Sequence, residues 1–365
     1  MRARLCFPRL LPAVLVACSL GLGCGSPESM DPAVNNPQLP LGEPLAAPAG
    51  EWSWVDFPDA VCDDGSATGI AVNPAAGSKK LLLFLMGGGA CWDYLSCAVL
   101  NSSTHGPQGS KQWEATKTGL AGSILDRSRP LPFADYNLVY VPYCTGDVHS
   151  GDNVATYTSG TQQKIIHHKG RANLLAFLKR LGATFGDSEK LVVSGSSAGG
   201  FGVAINYDLV RAYFPKARGY MLDDSGPILV KDDVPKDRRE AWIKNWGLQA
   251  RLDARCPECS ADLSAMLSHH ASDYPHDRLA LLSYTQDSVI RTFLGLRGAA
   301  AYEQNLATLA SKIYDPLPTA HYYYVAGQSH TFLGSPEKTT AQGVALPSWL
   351  AAFESDDPSW SSTKP

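Results

Sequence analysis

The chain has 365 residues, of which 44% are hydrophobic and 18% charged, and its formal net charge at pH 7 is −4. This weakly acidic balance excludes the basic patch that a nucleic-acid-binding surface requires. The length allows one large domain or two small ones. One domain is the simpler interpretation, because the sequence contains no internal repeat and no linker in its interior.

The first 50 residues are predicted to precede the folded domain. Three arginines followed by a short apolar run predict an export signal over residues 1–23, and this run is too short and too interrupted for a permanent membrane span. Cys24 is a candidate lipid anchor, with simple cleavage of the signal as the alternative. Residues 24–50 are rich in proline and lack apolar periodicity, which favours a solvated linker, so the folded domain is predicted over residues 51–365.

Six cysteines remain in the predicted domain. An even number in an exported chain favours disulfide bonds, and six cysteines allow fifteen pairings. The segment CPEC at 256–259 is also compatible with a redox pair or with half of a zinc site. We predict no metal, because His269 and His270 are adjacent and do not form a second ligand pair at the usual spacing. The six are Cys62, Cys91, Cys97, Cys144, Cys256 and Cys259.

Apolar runs of strand length alternate with helical stretches along the domain. Such continuous runs are typical of strands buried on both faces of a parallel sheet, and ligands bind such sheets at the carboxyl ends of the strands. Residues 171–185 and 200–214 have the periodicity of helices. We therefore predict a mostly parallel central sheet with helices on both faces. The predicted strands lie at 81–86, 137–143, 191–194, 219–222, 279–284 and 321–327.

The segment GSSAG at 195–199 lies between the predicted strand 191–194 and a helix, and it matches the pattern G-x-S-x-G. In this turn, small flanking residues let a strained backbone expose the central serine, and the following helix N terminus favours a developing negative charge. The pattern alone is weak in a chain with 33 glycines, where a glycine-rich turn is the alternative. Its position between strand and helix favours Ser197 as a nucleophile.

A nucleophilic serine needs a base and an acid that orients the base. His330 follows the last predicted strand and Asp287 follows the strand before it, which reproduces the chain order serine, acid, histidine of α/β-hydrolases. Asp223 and Asp224, after the intervening strand, are the alternative acids. Other histidines have less suitable positions: His167 and His168 precede the serine on a predicted helix, and His269 and His270 lie in an irregular stretch.

Gly87, Gly88 and Gly89 directly follow the first predicted strand. A tetrahedral intermediate needs backbone N–H groups that stabilise its oxyanion, and glycine allows these groups to turn toward a ligand. A tight turn is the alternative interpretation. Two glycine-rich strand ends in the order expected of esterases favour an oxyanion loop.

Taken together, these segments resemble the pectin acetylesterase family, which includes plant pectin acetylesterases and the animal Notum-like carboxylesterases. The resemblance covers about residues 60–335 and implies an α/β-hydrolase-like single domain. It implies Ser197 as nucleophile, Asp287 as acid and His330 as base. The N–H groups of Gly88, Gly89 and Ala198 would form the oxyanion hole. The matching segments are FLMGGGACW, VYVPYCTGDVHSGD, VVSGSSAGGFG and QSHTF.

The same resemblance implies three disulfides and candidate pocket residues. The implied pairs are Cys62–Cys144, Cys91–Cys97 and Cys256–Cys259. Trp92 and Tyr143 are candidates to line the pocket, with simple packing as the alternative. Asp147 belongs to a segment with His149 and Asp152 for which we favour a hydrogen-bonded loop near the pocket over a catalytic role. The chain has Ala90 where the family usually has an aromatic residue, so the acyl-chain preference is not transferred.

These observations predict an exported serine carboxylesterase that needs no cofactor and is either a cell-envelope lipoprotein or secreted. By resemblance, the first substrate class is O-acetyl esters on polysaccharide. Esters of other acyl groups, lipid esters and polyesters are alternatives within the enzyme class. A non-catalytic surface binding protein on a hydrolase scaffold is the alternative from another class. The only predicted membrane contact is the lipid anchor, and the sequence does not determine the oligomeric state.

Overall fold

A computed structural model describes residues 39–364, which fold around an eight-stranded, mostly parallel sheet. The strands are β1 Ser53–Val61, β2 Ala67–Asn73, β3 Lys80–Leu85, β4 Asn137–Val141, β5 Asn153–Ser159, β6 Gln162–His168, β7 Lys190–Ser196, β8 Arg218–Asp224, β9 Arg278–Tyr284, β10 Ala320–Val325, β11 Thr340–Ala341 and β12 Val344–Ala345. The order in the main sheet is β1-β2-β4-β3-β7-β8-β9-β10, and β2 alone runs antiparallel to its two neighbours, β1 and β4. This arrangement confirms the predicted α/β-hydrolase-like fold.

Helices cover both faces of the sheet. They are α1 Ser110–Thr116, α2 Gly170–Phe185, α3 Ala198–Tyr213, α4 Lys236–Asn245, α5 Gln249–Arg255, α6 Ala265–Asp273, α7 Ser288–Leu294, α8 Ala299–Leu309 and α9 Leu346–Glu354. On β3, Leu81 and Leu83 contribute to the core beneath α2 and α3, whereas Leu82 contributes to the core beneath α1 and α9. Alternate residues of one strand therefore enter different cores, which explains the continuous apolar run.

All six predicted strands and both predicted helices have counterparts in the structure, but six strands of the described residues were not predicted: β1, β2, β5, β6, β11 and β12. β1 lies at the sheet edge with only two of its nine residues buried, and β2 is built largely from small residues. β5 and β6 form a separate hairpin that includes polar residues such as Thr156, Thr158, Gln162 and Gln163. His167 and His168, expected on a helix, lie on β6, and His269 and His270, expected in an irregular stretch, lie on α6.

The N-terminal boundary of the domain differs from the prediction. Residues 39–50 were expected to belong to a solvated linker, but they pack along α2. The N–H of Gly42 donates to the carbonyl of Lys179 (2.9 Å), and the N–H of Leu45 donates to Thr184 Oγ1 (2.7 Å). The side chain of Leu45 is part of the core, and its burial stabilises the docked segment.

The predicted export signal and the candidate lipid anchor Cys24 lie outside the described residues. Between residues 39 and 364, none of the helices is long and apolar enough to cross a membrane.

Three disulfides connect the six cysteines of the domain. Cys62–Cys144 joins the end of β1 to the loop after β4 across a sequence separation of 82 residues. Cys91–Cys97 and Cys256–Cys259 close short loops. These are the pairs that the family resemblance implies.

Replacing both Cys62 and Cys144 by alanine is expected to lower the free energy of unfolding by about 4 kcal/mol. The reason is that this disulfide closes a long loop and therefore strongly reduces the conformational entropy of the unfolded chain. The matched control replaces Cys256 and Cys259, whose separation is only three residues. This control should lose roughly 2 kcal/mol or less in the same chain-entropy treatment. Urea denaturation of the three proteins measures both losses, and equal losses would contradict the entropic explanation.

Candidate active site

Ser197 lies in a strained turn between β7 and α3. Its backbone angles are φ 59° and ψ −120°, in a region that residues with side chains rarely adopt. Its N–H donates to the carbonyl of Asp224 (2.7 Å). A Cβ at Gly199 would collide with the carbonyl of Leu85, and one at Gly195 would lie 2.6 Å from the carbonyl of Gly199. Close backbone approach therefore explains why both flanking positions are glycine.

The glycine loop after β3 touches this serine turn. A Cβ added to Gly87 would lie 3.1 Å from the Cβ of Ser197. Gly88 and Gly89 have φ angles of 151° and 72°. Within residues 39–364, no hydrogen bond occupies the N–H groups of Gly88, Gly89 or Ala198. These three groups are therefore free to donate to a ligand beside Ser197.

A neighbouring segment holds the glycine loop in place. The N–H of Thr104 donates to the carbonyl of Gly88 (2.7 Å), and the N–H of Ala90 donates to the carbonyl of Ser102 (3.1 Å). This segment continues into His105, whose Nδ1 is hydrogen-bonded to the buried carboxylate of Asp63.

Ser103, His105 and Asp63 form a second Ser-His-Asp arrangement that the sequence analysis did not find. Ser103 Oγ lies 3.1 Å from His105 Nε2. Ser103 is buried, however, and none of the three residues lines the cavity at Ser197. The arrangement anchors the support of the glycine loop, and its location does not suit it to substrate chemistry.

Asp287 and His330 meet where β9 and β10 end. His330 Nδ1 donates to Asp287 Oδ2 at 2.7 Å, and the carboxylate is fully buried. The other oxygen, Oδ1, accepts the N–H groups of Val289 (2.9 Å) and Ile290 (3.0 Å) and so caps α7. The helix cap fixes the carboxylate that orients the imidazole.

Within residues 39–364, neither alternative acid is hydrogen-bonded to His330. Asp223 accepts the N–H of Gly226 (2.8 Å), and Asp224 accepts hydrogen bonds from the serine turn and from the loop after His330. Burial raises the pKa of both carboxyls above the usual range for aspartate. This geometry favours Asp287 as the residue that orients the imidazole.

The structure does not join Ser197 directly to His330. Among the described residues no hydrogen bond connects the two side chains, although each lies at the carboxyl end of a sheet strand. Catalytic hydrogen bonds are often long before substrate binds. Their two loops are connected instead through Asp224.

A cavity of about 820 Å³ opens beside Ser197, and Gly89 and Ala198 also line it. Trp92, a candidate pocket residue, lies in its wall. Two other aromatic side chains in the wall, Phe201 on α3 and Phe293 on α7, were not predicted, and their ring centroids are 5.3 Å apart. Phe201 lies within a segment that carried the resemblance. Phe293 had no sequence signal, because the fold brings α7 to the cavity from a distant part of the chain.

Charged residues lie at the same cavity. Asp93, Asp237 and Arg238 contribute to its lining, and the Arg238 guanidinium lies 4.9 Å from the centre of the Trp92 ring. The wall thus combines a mainly aromatic and aliphatic surface with a few polar groups, a composition that is typical of small-molecule sites.

Tyr143 and Asp147, the other candidate pocket residues, lie behind the wall. Both are fully buried, and neither lines the cavity. Tyr143 packs against the glycine loop, because a Cβ at Gly88 would lie 2.8 Å from its ring. Asp147 accepts hydrogen bonds from Thr145 Oγ1 (2.5 Å) and the N–H of Gly170 (2.8 Å). Their contacts are those of residues that support the loop.

This supporting loop positions Val148 in the cavity wall. Val148 and His149 have φ angles of 50° and 59°, which are strained for residues with side chains. His149 Nε2 donates to the carbonyl of Met86 (2.8 Å), and burial lowers the pKa of its ring, so the imidazole is neutral at pH 7. The hydrogen bonds of Asp147 and His149 hold the strained backbone in place.

Two groups of side chains in the described part of the chain have the spacing of metal ligands. They are Cys91, Cys97 and His168, and Cys256, Glu258 and His269. The cysteines of both groups are in disulfides, so neither group offers the thiolates that zinc binds.

The strand order, the serine turn after β7 and the Asp287–His330 pair after β9 and β10 define an α/β-hydrolase-like protein. The family model described as Pectinacetylesterase matches residues 55–292. The chain therefore belongs to the pectinacetylesterase family. The matched region contains Ser197 and Asp287 and ends before His330.

Curated relatives show the same relationship over shorter stretches. The chain is 33% identical over 172 residues to palmitoleoyl-protein carboxylesterase notum1 of Xenopus laevis, a match that covers 45% of this chain and 34% of that protein. It is 31% identical over 157 residues to the human palmitoleoyl-protein carboxylesterase NOTUM, covering 42% and 30%. It is 30% identical over 155 residues to the Drosophila melanogaster protein, covering 42% and 23%. The matches span about a third of the relatives' length or less.

Proposed function

We propose that the protein is an exported serine carboxylesterase. One arrangement above all supports this proposal. The hydrogen bond between Asp287 and His330 lies at the carboxyl end of the parallel strands, as does the strained turn of Ser197. The free N–H groups beside Ser197, the family membership and the names of the carboxylesterase relatives support it. The three disulfides support export, because such bonds persist in oxidising compartments.

In the proposed reaction, Ser197 Oγ attacks the ester carbonyl while His330 Nε2 accepts the hydroxyl proton. Asp287 holds the Nδ1 proton and stabilises the imidazolium. The oxyanion accepts hydrogen bonds from the N–H groups of the glycine loop and Ala198. His330 then donates its proton to the leaving alcohol, and a water molecule activated by the same histidine hydrolyses the acyl-enzyme.

Two substrate classes have different support. The family description favours O-acetyl esters on polysaccharide as the first class. The cavity favours a second class, esters of larger apolar acyl groups, because about 820 Å³ lined by Trp92, Phe201 and Phe293 is the size of sites that hold drug-sized ligands. Both classes use the same hydrolytic chemistry.

Turnover of p-nitrophenyl esters of increasing chain length is expected to distinguish the two classes. If the acyl chain occupies the aromatic cavity, kcat/KM should rise by at most about fourfold for each added methylene, since each buried methylene contributes roughly 0.8 kcal/mol. Acetate release from acetylated polysaccharide is measured in parallel. A maximum at the acetyl ester together with release from polysaccharide would assign the first class. No turnover of any ester would instead favour the non-catalytic binding protein.

A substitution that places a larger side chain in the cavity tests whether the acyl chain binds there. Ala241 lines the cavity from α4, whereas Glu240 beside it is exposed to solvent. Ala241→Phe should lower kcat/KM for the octanoyl ester by about tenfold while sparing the acetyl ester, because it removes room for apolar contact. Glu240→Phe should change neither. Equal losses on both esters in Ala241→Phe would contradict the placement of the acyl chain.

A further inference from the structure

Asp224, at the end of β8, is hydrogen-bonded to both loops that carry the candidate nucleophile and base. Its Oδ2 accepts the hydroxyl of Ser196 (2.6 Å), the residue before the candidate nucleophile. The same carboxylate accepts the N–H groups of Phe332 and Leu333 (3.0 Å each), which closely follow His330. The side chain is fully buried. One carboxylate thus connects the serine turn to the histidine loop across the end of the sheet.

A second connection runs through the neighbouring serine. Ser225 Oγ donates to Asp224 Oδ1 (3.1 Å) and accepts the N–H of Thr331 (3.3 Å), the residue after His330. The carbonyl of Asp224 accepts the N–H of Ser197 (2.7 Å). The backbone carbonyl and the carboxylate of Asp224 therefore both accept hydrogen bonds at the site.

The same network holds strained backbone in three places. Ser197, Ser225 and Thr331 have φ angles of 59°, 64° and 64°, and each donates or accepts a hydrogen bond within the network. Such conformations persist only where surrounding contacts determine them, and they are concentrated at functional sites. The contacts that determine them here converge on Asp224.

We propose that Asp224 is a positioning residue that sets the separation of Ser197 and His330 by holding their two loops. The inference rests on the proposed function, because it assigns to Asp224 the alignment of the proton transfer between these side chains. Ser196 has a role in the same network, since its hydroxyl is one of the donors that hold the carboxylate. Asp224 acts as a hydrogen-bond acceptor and, within residues 39–364, is not hydrogen-bonded to the imidazole.

The test compares Asp224→Ala with Asp224→Asn. Asp224→Ala removes the acceptor for both loops, and kcat for p-nitrophenyl acetate should fall on the order of 10²-fold with KM within about twofold, because a displacement near 1 Å has an effect of this size. Asp224→Asn keeps an acceptor oxygen and should restore kcat to within about fivefold of wild type. The rate of phosphonylation of Ser197 by a fluorophosphonate should follow the same order, since it also needs an aligned base.

Asp223→Ala is the matched control. Asp223 is equally buried and adjacent in sequence, but its carboxylate accepts the N–H of Gly226 and, within residues 39–364, is hydrogen-bonded to neither catalytic loop. Its replacement should lower Tm while kcat per folded molecule stays within about threefold of wild type, because the alignment is retained. If Asp224→Ala does not fold, the double variant Ser196→Ala/Ser225→Ala removes two donors of the network and should lower kcat about fivefold.

The results of these experiments distinguish failure of the positioning role from failure of the proposed function. If folded Asp224→Ala, or the double variant in its place, keeps wild-type kcat, the positioning role is wrong while the proposed function stands. If Asp224→Asn is as inactive as Asp224→Ala, a retained acceptor oxygen does not restore kcat and the inference is overturned. If the wild-type protein neither hydrolyses esters nor reacts with the fluorophosphonate, the proposed function fails and the inference fails with it.

Discussion

Replacing Ser197 by alanine is expected to lower turnover of p-nitrophenyl acetate by about 10³-fold or more, leaving what the oxyanion hole and substrate binding supply. The reason is that the variant lacks the Oγ that forms the acyl-enzyme. The strained turn itself should persist, because the N–H of residue 197 still donates to the carbonyl of Asp224. Initial rates at saturating ester measure the loss of turnover, and Tm shows whether the variant is still folded.

Ser196→Ala is the matched control, since both serines lie in the same turn. The hydroxyl of Ser196 donates to the carboxylate of Asp224 and is not the attacking group. Its loss should lower kcat only a few-fold, because it removes one hydrogen bond from a network that retains several others. The hydrolase interpretation would have to be abandoned if Ser197→Ala kept near-normal turnover in a folded protein.

Asp287→Asn is expected to lower kcat by about 10²-fold or more, less than Ser197→Ala but far more than any change at Asp223. An amide at this position neither stabilises the imidazolium nor holds the same tautomer of His330. The protein should stay folded, because the amide oxygen can still accept the N–H groups of Val289 and Ile290 at the start of α7. Steady-state kinetics and thermal unfolding of the variant test both parts.

His330→Ala serves as the companion variant for Asp287→Asn. It should be as severe as Ser197→Ala, because no other base replaces the imidazole. Combining His330→Ala with Asp287→Asn should cause little additional loss, since residues that act as a unit have strongly non-additive effects. Additive losses, or near-normal turnover of Asp287→Asn, would show that Asp287 does not act through His330.

Local pattern was enough to predict the sheet strands that lie in the middle of the domain. The runs at β3, β7 and β9 are continuous and apolar because successive residues enter the two cores on opposite faces of the sheet. The edge strand β1 and the hairpin of β5 and β6 lack this signal, since few of their residues are buried. A continuous run of large apolar residues therefore decided which strands the sequence could predict, since β2 is buried but is built largely from small residues.

In the candidate site, too, some features could be predicted from local sequence and others could not. The serine turn and the glycine loop are local features, because small residues must occupy positions where backbones approach closely. The chain order of Ser197, Asp287 and His330 also followed from the sequence, and their roles stay predictions until the variants are measured. The sequence favoured Asp287 as the acid and kept Asp223 and Asp224 as alternatives, because all three follow predicted strands.

The sequence by itself determined the α/β class, the family, the serine turn and the glycine loop, each of which depends on residues adjacent in the chain. Only the tertiary structure decided that residues 39–50 pack along α2, that Asp147 supports a loop, and that Phe293 lines the cavity. It also assigned Asp224 its contacts with two loops more than 100 residues apart. Such contacts depend on which strand ends and helices the sheet brings together, and that is set by long-range packing rather than by local periodicity.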